Sequence, residues 1–272
     1  KRIKDSEKNY RDLFEKTPIG ILKVDVSGEI LDINQHMLEI LGATHKEEIL
    51  HTNLANLFVP EQPFFNDDYK QLIKNQVISK DGEYTSRWEK KFWLQYKIFP
   101  IFDELGKLKE MIITGENVTA KKEAEDKLQY ISLHDSLTGL YNRPFFEEEL
   151  KRLNTERQHP LSVIIGDVNG LKILNDTFGH LEGDQLLKKT AEILQKCCRQ
   201  EDIISRWGGD EYAIILPQTD RETAIQICDR IRNECQMQEN NLIPISISLG
   251  VSTKSLPIQD FKKIIIDAEE NM

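Results

Sequence analysis

An α+β fold in two domains joined by a helix is what the sequence predicts, and three observations carry that prediction. The chain has 272 residues, enough for two ordinary domains that each bury a core. Short strand-like runs broken by turn residues fill 17–119 and return from Leu161 onward, with amphipathic helical stretches among them in both halves. Between the halves, Thr119 to Leu133 is rich in Ala, Lys and Glu and holds neither Gly nor Pro. The expected organisation is an incoming helix over 1–16, a first domain over 17–119, a helical linker over 120–134 and a second domain over 135–272.

Composition narrows the partners. A net charge of -10 argues against nucleic acid, whose phosphates would be repelled over most of the surface. A nucleotide would then need metal ions and local bases. No apolar run approaches the roughly 20 residues that cross a bilayer, and no signal-peptide pattern opens the chain. Both favour the cytosol and leave open a membrane tether ahead of Lys1. The chain starts without an initiator Met and stops at Met272 inside a helical pattern, so a piece of a longer protein is expected. Cys197, Cys198, Cys228 and Cys235 lack metal-ligand spacing. Helical periodicity aligns Cys198 with Leu187, Ala191 and Leu194, and Cys235 with Ala224, Ile227 and Ile231, which predicts reduced core residues.

Taken in order, residues 1 to 16 place Ile3, Tyr10 and Leu13 at heptad spacings, as for a helix that meets another. Ile19 to Val24 and Ile30 to Ile33 are short strands around a Ser27-Gly28 turn. Helical stretches follow through Met37, Leu38, Ile40 and Leu41, and then around Leu54 and Leu57 to Ile73. Strands are expected over Tyr84 to Lys90, Lys91 to Pro100 and Leu108 to Gly115, with a turn at Asp103-Glu104-Leu105-Gly106. His36, His45 and His51 fit surface or hydrogen-bonded roles better than haem ligation. Trp88, Phe92, Trp93 and Tyr96 fit sheet and core better than an aromatic cage. In the linker, Ala124, Leu128 and Ile131 recur at four and then three residues, an apolar seam that suits pairing of two protomers or packing on a domain of its own chain.

The second half carries the chemistry. After His134-Asp135-Ser136-Leu137-Thr138-Gly139-Leu140-Tyr141-Asn142-Arg143 comes an amphipathic helix with Phe145, Phe146, Leu150 and Leu153. Leu161 to Asp167 reads as a buried strand ending in a carboxylate, where α/β sheets place ligands, and a helix starts at about Gly170. The backbone N–H groups of Gly170 and Leu171 would face phosphate there, with Lys172 adding positive charge. Asn175-Asp176-Thr177-Phe178-Gly179-His180 and Gly183-Asp184 then make a polar pocket before a long helix through Leu194. Ile203-Ile204 and Ala213 to Leu216 flank Arg206-Trp207-Gly208-Gly209-Asp210-Glu211-Tyr212, a tight hairpin because glycine reaches positive φ without steric cost. Gly208 and Gly209 let a ligand approach the backbone, and Asp210 and Glu211 offer carboxylates to its metal.

Two strands, short helices and three strands ending in Asn117-Val118-Thr119 resemble a PAS sensor domain, with Asn117 where that family usually has Asp. Its ligand is unknown, and the lack of cysteine there weighs against a flavin-adduct photosensor. Residues 125 to 272 resemble the GGDEF family of diguanylate cyclases, through Asp135 to Arg143, Asp167 to Lys172, Asn175 to His180, Gly183-Asp184 and the hairpin. That resemblance implies a mostly antiparallel central sheet flanked by helices, like nucleotide cyclases and polymerase palms. It implies condensation of two GTP into cyclic di-GMP and two pyrophosphates across a homodimer. It also implies magnesium, or manganese, held by Asp167, Asp210, Glu211 and the Val168 carbonyl, with Asp210, Glu211 and Lys172 in catalysis. Asn175 and Asp184 match its guanine readers; a carboxylate accepts from the guanine N1–H and N2–H pair, which adenine does not offer. Gly170, Leu171, Lys172, Gly208 and Gly209 complete the substrate contacts.

Arg199-Gln200-Glu201-Asp202 matches the family's RxxD inhibitory site, with Arg230 as a second product-binding arginine; otherwise Arg199 favours a helix C-terminus and pairs with Asp202. Tyr212 stands where the signature has Phe, Asn169 where Asp is common, and Leu171 is a variant before Lys172. The family's triphosphate-gripping Lys and Arg lie just past Met272, so weak GTP binding and slow turnover are expected without them; equal activity with a restored tail would refute that. The rival reading is a catalytically silent receptor for cyclic di-GMP or GTP.

Overall fold

The computed structural model describes residues 2–59, 72, 74, 76–237, 244–257 and 262–272, with side chains from residue 7. It divides into two compact units, Lys1–Asp126 and Lys127–Met272.

The first unit is built on an antiparallel sheet in the order β2-β1-β5-β4-β3. Its strands are β1 (Gly20–Asp25), β2 (Ile30–Ile33), β3 (Ile78–Thr85), β4 (Lys91–Phe102) and β5 (Leu108–Asn117). Alternating residues point inward, so Leu22, Val24, Phe92, Leu94, Tyr96 and Ile98 share one core. The β1–β2 turn is shaped by Asp25, whose Oδ1 accepts from the backbone N–H of Ser27 and Glu29. Helix α1 (Arg2–Lys16) and helix α2 (Gln35–Leu41) are tied to β1 by one fully buried residue, Asn34. Its Oδ1 caps α2 at the Met37 N–H (3.0 Å), and its Nδ2 donates to the carbonyls of Phe14 and Ile19. Gly42, at φ 81°, ends α2 in the left-handed conformation.

Two strands run two residues past their expected ends, to Phe102 and Asn117, and one is displaced. Of the run Tyr84 to Lys90 only Tyr84 and Thr85 are strand, the end of β3 (Ile78–Thr85), and 86–90 turn back. Aromatic Trp88 suggests strand by propensity, but its indole N–H donates to Glu48 and Glu89 takes φ 63°, which extended pairing excludes. The helical stretch expected up to Ile73 begins as a short 3₁₀ turn, Leu54–Leu57, and Phe58 then bridges to Ser86; residues 60–71 and 73 lie outside the described ones. His51 pairs with Glu29 at 2.8 Å, and His36 lies 3.7 Å from Glu39. Helix α3 (Thr119–Leu133) buries none of its side chains, and Leu128 and Ile131 stand 68% and 49% exposed. On α1, Tyr10 and Leu13 are exposed while Phe14 is buried. The Ile3 side chain lies outside those described.

The second unit holds a sheet in the order β10-β7-β9-β8-β6: β6 (Tyr141–Asn142), β7 (Leu161–Val168), β8 (Ile203–Gly208), β9 (Glu211–Leu216) and β10 (Ile247–Lys254). The β6–β8 pair is parallel and the others are antiparallel. Helices α4 (Arg143–Leu153), α5 (Leu171–Phe178), α6 (His180–Cys197), α7 (Arg221–Gln236) and α8 (Lys262–Glu269) cover both faces. Strand alternation divides the interior: Ile164, Tyr212 and Ile214 pack with α6 and α7, and Val163, Ile165, Ala213 and Ile215 pack with Phe146, Leu150 and Ile264. Being covered on both faces, β7 is buried from Leu161 to Gly166, with the Ser162 hydroxyl satisfied by the Thr219 carbonyl.

Cysteine placement needs one correction. α6 ends at Cys197, and Cys198 turns extended at ψ 164°, so Cys197 takes the core position expected of Cys198, which lies half-buried. All four thiols are free. Burial pushes Cys198 up to about 12 and Cys228 and Cys235 up to about 11, which keeps them protonated and unreactive at neutral pH.

The Tyr212 hydroxyl, in a side chain only 1% exposed, donates to the Leu187 carbonyl at 2.8 Å and so ties β9 to α6. Tyr212→Phe is expected to lower stability by about 1 kcal/mol, read by urea denaturation, because it removes a buried hydrogen bond.

Candidate functional site

Three carboxylates, Asp167, Asp210 and Glu211, lie where β7 and β8 end and β9 begins. β7 pairs with β9 so that Asp167 lies opposite Glu211, on the same face as Ile165 and Ala213. The Val168 N–H donates to the Asp210 carbonyl at 3.0 Å, which closes the loop tip onto β7. The tip is Gly209-Asp210, with Gly209 at φ 47°. A bulge at Trp207 precedes it: Arg206 pairs with Tyr212 and Gly208 with Glu211, leaving Trp207 extra. A Cβ at Gly170, Gly208 or Gly209 would meet nothing within 4 Å, so the backbone is open on those sides.

The acids repel one another. Burial first and then the Asp210 charge push the Asp167 carboxyl above its usual range. Burial, then Asp167 and Asp210, do the same to Glu211, and Arg143 partly offsets them. Among the described residues, no three His, Cys, Asp or Glu side chains already form a ligand set. The donors nonetheless suit a hard divalent cation: all are carboxylate oxygens, and their repulsion is what such an ion relieves.

Beside them, α5 starts from Gly170 in the left-handed conformation, at φ 79°, with Lys172 exposed in its first turn. Asn175 on α5 is packed against Gly183 on α6, where a Cβ would fall 1.9 Å from its Oδ1. That oxygen is buried with no hydrogen-bond partner. Asp184 follows, half-buried. So Asp167, Val168, Gly170, Leu171, Lys172, Asp210 and Glu211 gather at one end of the sheet, and Asn175 meets the residue before Asp184.

Arg199, Asp202 and Arg230 form a separate group at the far end of β8, roughly 20 Å from the tip at strand rise. Asp202, 7% exposed, accepts from the Arg199 N–H at 2.7 Å, so it engages that residue's backbone. Burial raises the Asp202 carboxyl, and that N–H and the two arginines partly offset it. Arg230 donates to the Cys197 carbonyl. A recess of about 480 Å³ opens here, lined by Arg199, Asp202, Cys198, Tyr141 and His134.

Side-chain pairings around the hairpin escaped sequence reasoning. Arg206 Nη1 donates to Asp135 (3.1 Å) while its Nε and Nη2 donate to the Gly209 carbonyl (3.0 and 2.7 Å). Burial alone would raise Asp135, but Thr138 and Arg206 hold it below the usual carboxylate range. Tyr130, His134, Tyr141 and Phe145 stack in series, with centroids 4.1, 4.6 and 4.0 Å apart, from α3 to α4. Residues 71 positions apart carry no local pattern, though Asp135 and Arg206 do lie within the motifs named above.

A family model described as "Diguanylate cyclase, GGDEF domain" matches residues 132–272, more than half of the chain. The chain belongs to the GGDEF family. A PAS domain, matched over 18–120, precedes the GGDEF domain. Among curated relatives, diguanylate cyclase DgcM of Escherichia coli K12 is 31% identical over 53% of this chain and 36% of its own length. Signaling protein YkoW of Bacillus subtilis is 26% identical over 93% of this chain, and the chain spans 32% of that protein. The coiled coil and GGDEF domain of Caulobacter crescentus DgcB, solved with c-di-GMP, overlays with a TM-score of 0.51 at 24% identity, covering 56% of this chain and 85% of that one; it shares the fold. No helix among the described residues is long and apolar enough to cross a membrane.

Proposed function

We propose that this protein is a PAS-regulated diguanylate cyclase that joins two GTP molecules into cyclic di-GMP as a homodimer. The observation that carries the reading is the register that sets Asp167 opposite Glu211 with Asp210 at the adjoining tip, all three acids intact. A receptor would have no need of that repelling set.

In each half-reaction a 3′-hydroxyl oxygen forms a bond to the α-phosphorus of the other nucleotide, the bond to pyrophosphate breaks, and the hydroxyl proton leaves. Asp167, Asp210, Glu211 and the Val168 carbonyl would hold magnesium or manganese, which neutralises charge on the α-phosphate and acidifies the hydroxyl. Glu211, an exposed carboxylate beside Asp167, is placed to serve as a ligand or as a proton acceptor. Lys172 and the N–H groups of Gly170 and Leu171 bind phosphate, with Gly208 and Gly209 leaving room for it. Asp184 and Asn175 read the guanine edge. One site holds one nucleotide, so two protomers must face each other, and the unburied apolar seam of α3 is the surface suited to pairing them. Arg199, Asp202 and Arg230 would hold the product and restrain turnover.

Incubating the chain with GTP and Mg²⁺ and resolving nucleotides by chromatography tests this. Cyclic di-GMP is expected from the wild type and not from Asp210→Ala. A wild type that binds cyclic di-GMP without making it would instead be a receptor.

A further inference from the structure

We propose that Arg143 is a binding residue for a phosphate group of the substrate's triphosphate arm, an assignment that rests on the nucleotide reading above. Arg143 opens α4 behind the cap of Asn142, whose Oδ1 accepts from the Phe145 N–H. Its guanidinium lies over the Trp207 ring, 4.2 Å from the centroid. Trp207 is itself fixed edge-on against Phe146 and is 8% exposed, so the stacking platform is rigid. The Arg143 Nε donates to Glu147 at 3.0 Å, four residues on in the same helix. Stacked on one face and pinned along one edge, the guanidinium is pre-organised, and its two Nη groups have no partner among the described residues. A planar fork held this way is suited to two parallel hydrogen bonds with an oxyanion.

The fork stands at a recess of about 420 Å³ between hairpin and α8, lined by Arg143, Trp207, Glu211, Ile265 and Glu269 among others. Glu211 is shared with the acid cluster, so the recess opens directly onto it. Carboxylates already crowd this wall, and a bare anion would be repelled by them. A phosphate arriving with a divalent ion would not be, and Arg143 supplies the fixed positive charge on that side. Sequence spacing hides this, because Arg143 and Trp207 lie on different elements.

Isothermal titration with Ca²⁺ in place of Mg²⁺, using GTP, ATP and GMP on wild type, Arg143→Ala and Arg143→Lys, tests the assignment. Arg143→Ala is expected to weaken GTP about tenfold or more, the scale of a lost charged hydrogen-bond pair, and to leave GMP within about twofold. Arg143→Lys is expected to fall between, since it keeps a charge and loses the fork. Thermal midpoints of the same variants report on the Trp207 stack separately. A GTP-to-GMP affinity ratio unchanged in Arg143→Ala, with the wild type selective for GTP, overturns this assignment alone. A wild type that separates GTP neither from ATP nor from GMP overturns the nucleotide reading, and this assignment with it.

Discussion

Stripped of divalent ions, Asp167→Asn is expected to unfold at a higher temperature than the wild type, and with Mg²⁺ restored to make no detectable cyclic dinucleotide. Burial and the neighbouring Asp210 raise the Asp167 carboxyl, and Glu211 is raised by burial, by Asp167 and by Asp210. A carboxyl whose pKa is higher folded than unfolded costs stability wherever it is ionised. As pH falls through the folded pKa, the folded state takes up its proton first and stability is regained relative to neutral pH. The metal-free wild type should therefore gain stability as pH drops just above the ordinary carboxylate range, and the Asn variant should gain less. Activity is expected to move the other way, because on the proposed reading one charged metal ligand is gone; several kcal/mol of lost charge stabilisation corresponds to a rate about 10³-fold lower or worse. Thermal scans in EDTA against pH, beside chromatography of reaction products, check both halves. A variant no more stable than the wild type in EDTA would remove the repulsion argument.

Gly183→Ala is the second large effect, and its sign runs against helix propensity. Within α6, alanine in place of glycine ordinarily gains roughly 0.5–1 kcal/mol. Here the added methyl would sit 1.9 Å from Asn175 Oδ1 and 3.1 Å from Leu171 Cδ1, so Asn175 must swing out or α5 must lift from α6. A net loss of about 1–3 kcal/mol is expected in urea denaturation. On the proposed reading Asn175 contacts the guanine, so displacing it should lower the preference for GTP over ATP in a competition assay. Stability equal to the wild type would mean that the helix pair yields easily and that Gly183 is not what seats Asn175.

Much of this was legible in the chain because the chemistry is local. Asp167 closes an apolar run, Gly170 and Lys172 follow within one turn, and the loop at Gly209-Asp210 needs the positive φ that glycine supplies, so strand end, helix start and hairpin are each written in adjacent residues. The Asp103 to Gly106 turn was readable for the same reason, Asp103 accepting from the Leu105 and Lys107 N–H groups. What misled was residue type without context. Trp88 suggested a strand yet serves as a hydrogen-bond donor to Glu48 in a turn, and helical spacing chose Cys198 although the helix stops one residue earlier. What stayed hidden was long-range: the Arg143–Trp207 stack, the ring series from Tyr130 to Phe145, and the Asp135–Arg206 pair, none of which has periodicity to betray it.

The last of these has a mechanical consequence. One guanidinium grips the residue two places past the end of α3 and, with its other edge, the carbonyl just ahead of Asp210. The two side chains of the pair stand only 14% and 23% exposed, so added salt screens them little and the latch holds across ionic strength. The turn after α3 and the loop of acids are therefore joined through one side chain, beside the ring series that also leads from α3 into the domain.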